Sequence, residues 1–457
     1  MMSSHLIVKP LNRMPDLLAL HAGNPDRYPH LLNSNSSAMG AAENNAVARY
    51  DILFACPQQT IESNDESFLQ QLDQAWLSEK QPIEKTALPF SGGWFIYLSY
   101  ELVQQIESSL HLPCAEDGFP AAFATRFPSA IIIDSHKQQA YLLCEQKFAD
   151  CVETIEADLL QMDVSKNAAE PYLQSFEIDE IEEDSEEAYL QQLEKLHQYI
   201  VEGDVFQVNL SRGWKTRLIQ PVNHASLYAQ LIKSNPGPFN ALLTAGDKAI
   251  ISSSPERLIQ LKEGCLQTRP IAGTRPRSED NESDINLSSE LLSHPKERAE
   301  HIMLIDLERN DMGRVCKPGS IEVNELMVLE SYRHVHHIVS NIRGKLRDNI
   351  TPGQLIAAVF PGGTITGCPK VRCMEILAEL EQVGRGAYTG ALGYLNHNGD
   401  MDLNILIRTI SRNADKLQLR AGGGIVIDSD PRNELNETRA KAKGLIHALQ
   451  TGNRTVK

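Results

Sequence analysis

Short apolar runs bounded by turn residues predict strands at YDILFAC (50–56), GGWFIYLSY (92–100), SAIIIDS (129–135) and QAYLLCE (139–145). Before them, residues 1–45 are polar and poor in pattern, ending in the Ser/Asn-rich LLNSNSSAMGAAENN. A helical stretch, VETIEADLLQMDV, leads into the acidic SFEIDEIEEDSEEAY (175–189). Like charges packed this densely favour solvation, which places a boundary between an amino-terminal part, 1–175, and a second part, 187–452. The same acids also suit the first turn of the next helix.

Beyond that boundary a long helix is expected at 187–202. Strand-like runs follow in VFQVNLSRGW, around 239–245, in AIISSSPERLIQL and in CLQTRP. Helical stretches are expected at 286–309, 353–359 and 370–381, strands at 388–395, 402–410 and 416–427, and a last helix at 431–450. No short-period repeat is present, which excludes a solenoid or propeller. Long strands interleaved irregularly with helices predict a large mixed α+β fold rather than a regular βαβ array.

Composition narrows the function. The 457 residues carry 60 acids against 43 bases, a formal charge of −17, which repels nucleic acid and anionic membrane surfaces. The opening MMSSHLIVKPLNRM lacks an apolar leader core, and no run of 18 apolar residues follows, so neither secretion nor a membrane span is expected. Eight scattered cysteines without a CxxC read as reduced thiols of a cytoplasmic protein.

Two helical segments carry paired carboxylates. In HPKERAEHIMLIDLERND (294–311), Glu297 and Glu300 are three apart and share a face, while Ile302, Leu304, Ile305 and Leu307 supply an apolar side. In SDPRNELNETRAKAKGL (429–445), Glu434 and Glu437 repeat the device. Two such pairs facing each other would make an oxygen site for Mg²⁺. Glutamates in an early turn also favour the helix dipole, and Glu437 also suits an ion pair with Lys441.

Other motifs exclude chemistry. FPGGTITGCPK (360–370) imitates a P-loop, but Cys368 and Pro369 stand where its lysine is needed. AGGGIVIDS (421–429) runs glycines straight into a strand and suits close backbone approach to a carboxylate, or a bend. YRHVHHIVS (332–340) puts His334 and His336 on one strand face and His337 on the other, a poor three-histidine metal site; one of them suits proton transfer or a structural hydrogen bond. There is no GxSxG elbow and no cysteine in a glutaminase setting. RPIAGTRPR (269–277) reads as a rigid basic turn around a bare alanine.

Taken in order, GDVFQVNLSR, SSSPERL, TRPIAGTRPR, the HPKERAEH helix with DLERNDMGRV, VHHIVS, FPGGTITGCPKVRCMEI, GAYTGALGYL, MDLNILIRT, AGGGIV and NETRAKAKG resemble the chorismate-utilising enzymes. These are component I of anthranilate synthase and of aminodeoxychorismate synthase, and the isochorismate and salicylate synthases. The match covers nearly all of 187–450, with YDILFACP and LPFSGGWFIYLSYEL extending it more weakly. The resemblance implies two large facing antiparallel β-sheets surrounded by helices. It also implies Mg²⁺ on Glu297, Glu300, Glu434 and Glu437, neutralising the ring carboxylate of chorismate. It gives Arg408 and Tyr388 the pyruvyl carboxylate, and Gly423, Gly424 and Lys441 the rest of an anion cradle. Thr364 would hydrogen-bond the substrate, and His337 matches the acid near the departing hydroxyl. Ala272 and Thr274 would face the ring, with the neighbouring arginines bracing acids.

Within that family, members that use water carry a lysine where this chain has Gln207. A lysine there activates water as a general base and a glutamine does not, which points to ammonia. With no glutaminase signature in the chain, the ammonia is expected from a separate glutamine amidotransferase subunit, component II. VNLSR, FPGGTITG, AGGGIV and LLNSNSS in place of the LLES stretch of the tryptophan-inhibited branch resemble aminodeoxychorismate synthase. PIAGT and SYRHVHHIVS are closer to anthranilate synthase. Position 272 is a lysine nucleophile in many aminodeoxychorismate synthases, and Ala272 cannot play that part. The expectation is amination to 4-amino-4-deoxychorismate, for 4-aminobenzoate and folate; the alternative is the ortho product of anthranilate synthase, for tryptophan.

Overall fold

The computed structural model describes residues 5–34, 49–63, 67–80, 86–164, 172–278, 280–331 and 335–452. Its frame is two antiparallel sheets, of 12 and 10 strands among these residues, lying face to face. Side-chain alternation sets the layering. In the strand Tyr50–Ala55, Ile52 and Phe54 point between the sheets while Leu53 points outward to helices. In Gly93–Leu98 of the other sheet, Phe95 and Tyr97 meet that same central layer, whereas Trp94, Ile96 and Leu98 pack outward. Every residue of Gly93–Leu98 is buried, because helices cover the face the other sheet does not. Helices Leu17–Gly23, Asp150–Val164, His224–Ser234 and Pro431–Gln450 cover the first sheet. Phe68–Glu79, Pro295–Gly313 and Pro352–Val359 cover the second. The order is helix, sheet, sheet, helix, the α+β arrangement expected.

Both sheets combine the two halves of the chain. His30–Asn33 pairs with Phe239–Ala245 in the first, and Gly93–Leu98 pairs with Ala391–Asn396 in the second. The acidic 175–189 stretch is mostly exposed, as a solvated run should be, and its ion pairs are made with the carboxy-terminal half. Glu183 binds the buried Arg212 and also Arg439, and the Asp184 carboxylate accepts from Gly213 N.

Most expected elements are present, with instructive differences. RPIAGTRPR is not a turn: Ile271–Pro276 is a strand paired with Val335–Lys345, and its register slips at Gly273, whose φ is 69°. The strand expected at 402–410 is two, Met401–Asn404 and Thr409–Asn413, broken where Arg408 takes a φ of 51°. The region 1–45 holds a strand, Leu6–Leu11, and the helix Leu17–Gly23.

Candidate active site

The strand Lys416–Ile425 forms the spine of the site. Its pairing to Thr409–Asn413 ends at Leu419, so in this sheet Arg420–Ile425 is bonded only to Gln207–Arg217. Its three glycines admit three different groups. A Cβ on Gly422 would stand 2.8 Å from the Tyr388 hydroxyl, and one on Gly424 only 2.2 Å from Gln207 Nε2. On Gly423 it would meet Glu434 Oε2 at 3.3 Å and Glu437 Oε1 at 3.5 Å. The missing side chains are therefore what lets a phenol, an amide and two carboxylates crowd one strip of backbone. Lys441, one turn on from Glu437, donates to Gly422 O at 3.0 Å and pairs with Glu437 at 2.7 Å.

The strand before it adds two amides. Gln207 is buried and its Oε1 has no hydrogen-bond partner; the Oδ1 of Asn209, beside Gly422, has none either. A buried acceptor without a donor costs about 1–3 kcal/mol, which marks these oxygens as places for a ligand's N–H or O–H. Asn209 was not singled out among the expected site residues.

Opposite lies the Ile271–Pro276 wall. Ala272 is buried, and a Cβ at Gly273 would come within 2.8 Å of Glu297 Oε2. Glu297 is held by Arg275 at 3.1 Å, and Glu300 is half-buried one turn further along the helix. The backbone of Thr274 pairs with His337, and its side chain lies outside the described residues, as does His334. Arg269 binds Glu325 and Glu330, and Arg277 binds Asp284, so these arginines do brace acids. His336 faces away from the cleft, toward Asp284 and Ser331.

His337 is buried, and desolvation together with the nearby Arg408 charge pushes its pKa down to about 4. At neutral pH the ring is uncharged, which alters the acid role expected of it. Burial also lowers the Arg408 pKa, and no carboxylate among the described residues pairs with its guanidinium. Left-handed φ at Arg408 and of 65° at the β-branched Thr389, next to Tyr388, places backbone strain at both segments expected to grip a carboxylate. A half-buried guanidinium on a strained loop, with no carboxylate partner among the described residues, is a ready anion receptor.

A further buried group carries no signal of its own in the sequence. Glu256 of SSSPERL is buried, accepts from Thr364 Oγ1 at 2.8 Å, and has its pKa raised to about 8, mainly by desolvation. Glu308, also buried, opposes its ionisation, while Lys441 favours it. Thr364 is thereby tied to a neutral carboxyl, and its carbonyl accepts from Asn209 Nδ2 at 3.5 Å.

Four glutamates are hard oxygen donors of the kind Mg²⁺ prefers. Their placement fits that ion incompletely. Glu434 and Glu437 stand together at Gly423, yet Glu437 and Glu297 each hold a protein cation. Among the described residues no three His, Cys, Asp or Glu side chains are grouped as metal ligands.

A cavity of about 1070 Å³ contains none of these residues. It lies where the LLNS stretch (Leu32, Asn33, Ser34) meets Phe239 and Asn240 and the hairpin around Tyr394 and Asp402. Among the described residues no helix is long and apolar enough to cross a membrane.

Two facing sheets with a glycine-walled cleft that brings Arg408, Tyr388 and Lys441 toward the paired glutamates have the build of an enzyme site. Residues 36–447 match the family described as chorismate binding enzyme, and the chain belongs to that family. It is 40% identical to aminodeoxychorismate synthase component 1 of Bacillus subtilis over 86% of this chain and 85% of that one. It is 41% identical to an anthranilate synthase component I-like protein of Synechocystis, over 79% and 74% respectively. Anthranilate synthase component I of Streptococcus pneumoniae superimposes with a TM-score of 0.76 at 30% identity, covering 89% of this chain and 94% of that one. The menaquinone-specific isochorismate synthase of Escherichia coli shares the fold, with a TM-score of 0.72 at 19% identity.

Proposed function

We propose that this chain aminates chorismate with ammonia from a glutamine amidotransferase partner, giving 4-amino-4-deoxychorismate. The observation that carries the reading is Gln207: a buried amide on the cleft wall whose unpartnered oxygen suits an N–H donor. An amide has no basic electron pair to take a proton from water, so it favours ammonia over a water nucleophile. The words "component 1" and "component I" in the names of the Bacillus subtilis and Streptococcus pneumoniae proteins support a second component that supplies it.

Arg408 and the Tyr388 hydroxyl take one substrate carboxylate, and Lys441 with the Gly422–Gly424 backbone takes the other. The N–C4 bond forms as the C4–O bond breaks. Glu256, protonated at pH 7, gives its proton to the departing oxygen, which leaves as water. The resulting carboxylate takes back the extra proton of the new C–N group, so chorismate and ammonia balance aminodeoxychorismate and water. Neutral His337 serves as a hydrogen-bond partner here rather than as the acid. Mg²⁺ on Glu297, Glu300, Glu434 and Glu437 remains part of the proposal, and no step above is assigned to it.

Ala272 favours a second reading. Without an amine at that position no covalent adduct forms at ring carbon 2, and ammonia adding there itself would give anthranilate after loss of pyruvate. Incubating the chain with chorismate, Mg²⁺ and ammonium chloride, with and without a lyase that releases 4-aminobenzoate, separates the two. The proposal expects 4-aminobenzoate only with the lyase; fluorescent anthranilate without it would refute the para assignment.

A further inference from the structure

Arg385, in the loop after the helix Lys370–Glu381, has no part in the chemistry above, yet it is buried and so is its carboxylate partner, Glu381. Arginine has five N–H groups to place, and here each has an acceptor. Nε donates to Glu381 Oε2 at 2.9 Å and Nη2 to Glu381 Oε1 at 2.7 Å, a bidentate pair. Nη2 also donates to Asn209 O at 2.7 Å, while Nη1 donates to Ile365 O at 3.3 Å and to Thr389 Oγ1 at 3.5 Å. The guanidinium lies over the Tyr388 ring, 5.6 Å from its centre, and over the Tyr100 ring at 4.9 Å.

These acceptors belong to three separate walls of the site. Asn209 sits on the strand Gln207–Arg217, Ile365 follows Thr364, and Thr389 follows Tyr388. Glu381 extends the hold, accepting from Ser211 N at 2.9 Å and Ser211 Oγ at 2.8 Å on the same strand. Thr389 N donates to Leu406 O at 2.8 Å, just before Arg408, so the strained segments at Tyr388 and Arg408 are joined. The loop that carries Arg385 is in turn fixed from the amino-terminal half. Glu101 Oε1 accepts from Arg385 N at 2.7 Å, Glu101 Oε2 from Gly386 N at 3.1 Å, and Asp117 Oδ2 from Ala387 N at 3.1 Å. Successive N–H groups around a left-handed residue, Gly386 at φ 57°, make a nest for anions, and the chain's own carboxylates fill it.

We propose that Arg385 is a positioning residue for chorismate: one guanidinium sets Asn209, the Thr364 turn and Tyr388 relative to one another, and Glu101 and Asp117 bring the amino-terminal half into the same assembly. The inference rests on the function proposed above, which puts Tyr388 on a substrate carboxylate. A lysine offers three donors from one point, so it cannot serve three walls and a bidentate carboxylate together. Backbone strain such as that at Thr389 persists only where the surroundings over-determine it, and the Arg385 bond to its hydroxyl is part of that hold.

The test is Arg385→Lys in the full chain, with chorismate as the probe. KM for chorismate in the ammonium-driven reaction, and Kd for chorismate by calorimetry, should each rise about 10–100-fold, the usual cost of a small misplacement of binding groups. A role in folding alone would lower the amount of active enzyme, and with it kcat, but leave KM and Kd where they are. In a Tyr388→Phe background the same change should cost less, because part of what Arg385 positions is already gone. Glu101→Gln, matched in shape, loosens the same loop from the other half and should raise KM and Kd in the same direction, which decides the matter if Arg385→Lys does not fold. Unchanged KM and Kd in a folded variant, or full additivity with Tyr388→Phe, would overturn the proposal. A parent that binds chorismate but never aminates it would sink the proposed function, while the Kd comparison would still judge Arg385.

Discussion

Glu256→Gln should make the protein more stable and nearly inactive. The carboxyl is buried, with its pKa raised from 4.5 to about 8. In the unfolded chain it ionises above pH 4.5, so folding at higher pH requires it to regain a proton. With folded pKa above unfolded pKa, stability falls as pH rises from about 4.5 to about 8, then levels off. At pH 7 the cost is about 1.36 kcal/mol for each of roughly 2.5 pH units, or about 3 kcal/mol. Glutamine does not titrate, keeps an oxygen for the Thr364 hydroxyl, and nearly matches the shape. Urea unfolding should therefore show the variant gaining on the parent between pH 5 and 8, by about 3 kcal/mol at pH 7. Turnover should fall about 10²–10⁴-fold, the usual worth of a positioned proton donor. A stability difference that stays flat from pH 5 to 8 would show that the carboxyl is ionised in the fold, and its role as acid would collapse with it. Full turnover in the variant would refute that role separately.

Arg408→Lys keeps the charge but loses the planar fork, and should raise KM for chorismate about 10–100-fold, as about 1–3 kcal/mol of charge-assisted hydrogen bonding is lost; steady-state kinetics with ammonium check it. Gly424→Ala drives a methyl into Gln207 Nε2 and should abolish amination while chorismate still binds, measured by calorimetry. Ala272→Lys should raise the share of para product, read by chromatography of the lyase-coupled reaction. Removing divalent cations with EDTA should stop turnover and added Mg²⁺ restore it, and Glu434→Gln should weaken that restoration; activity indifferent to EDTA would remove magnesium from the proposal.

What the sequence disclosed and what it hid divide along local and long-range physics. Apolar runs such as GGWFIYLSY disclosed their strands because each is buried on both faces, and glycines in AGGGIV marked a close approach that needs no partner to be inferred. Glu256 stayed hidden because its neighbours, Pro255 and Arg257, make it look like half of a surface ion pair. Arg257 in fact pairs with Asp402, far along the chain, which leaves Glu256 turned inward against Thr364. The acidic stretch before residue 187 keeps most of its charges exposed, and only the fold shows Arg212 and Arg439 arriving from distant elements to pair with Glu183. Arg408 carries this furthest. Read locally, MDLNILIRT is one strand, and only the fold shows its arginine in a left-handed conformation with no acid among the described residues to satisfy it. Strain and a half-buried cation without a carboxylate partner among the described residues oppose stability twice over, and a substrate carboxylate that supplies the missing partner gives both a purpose.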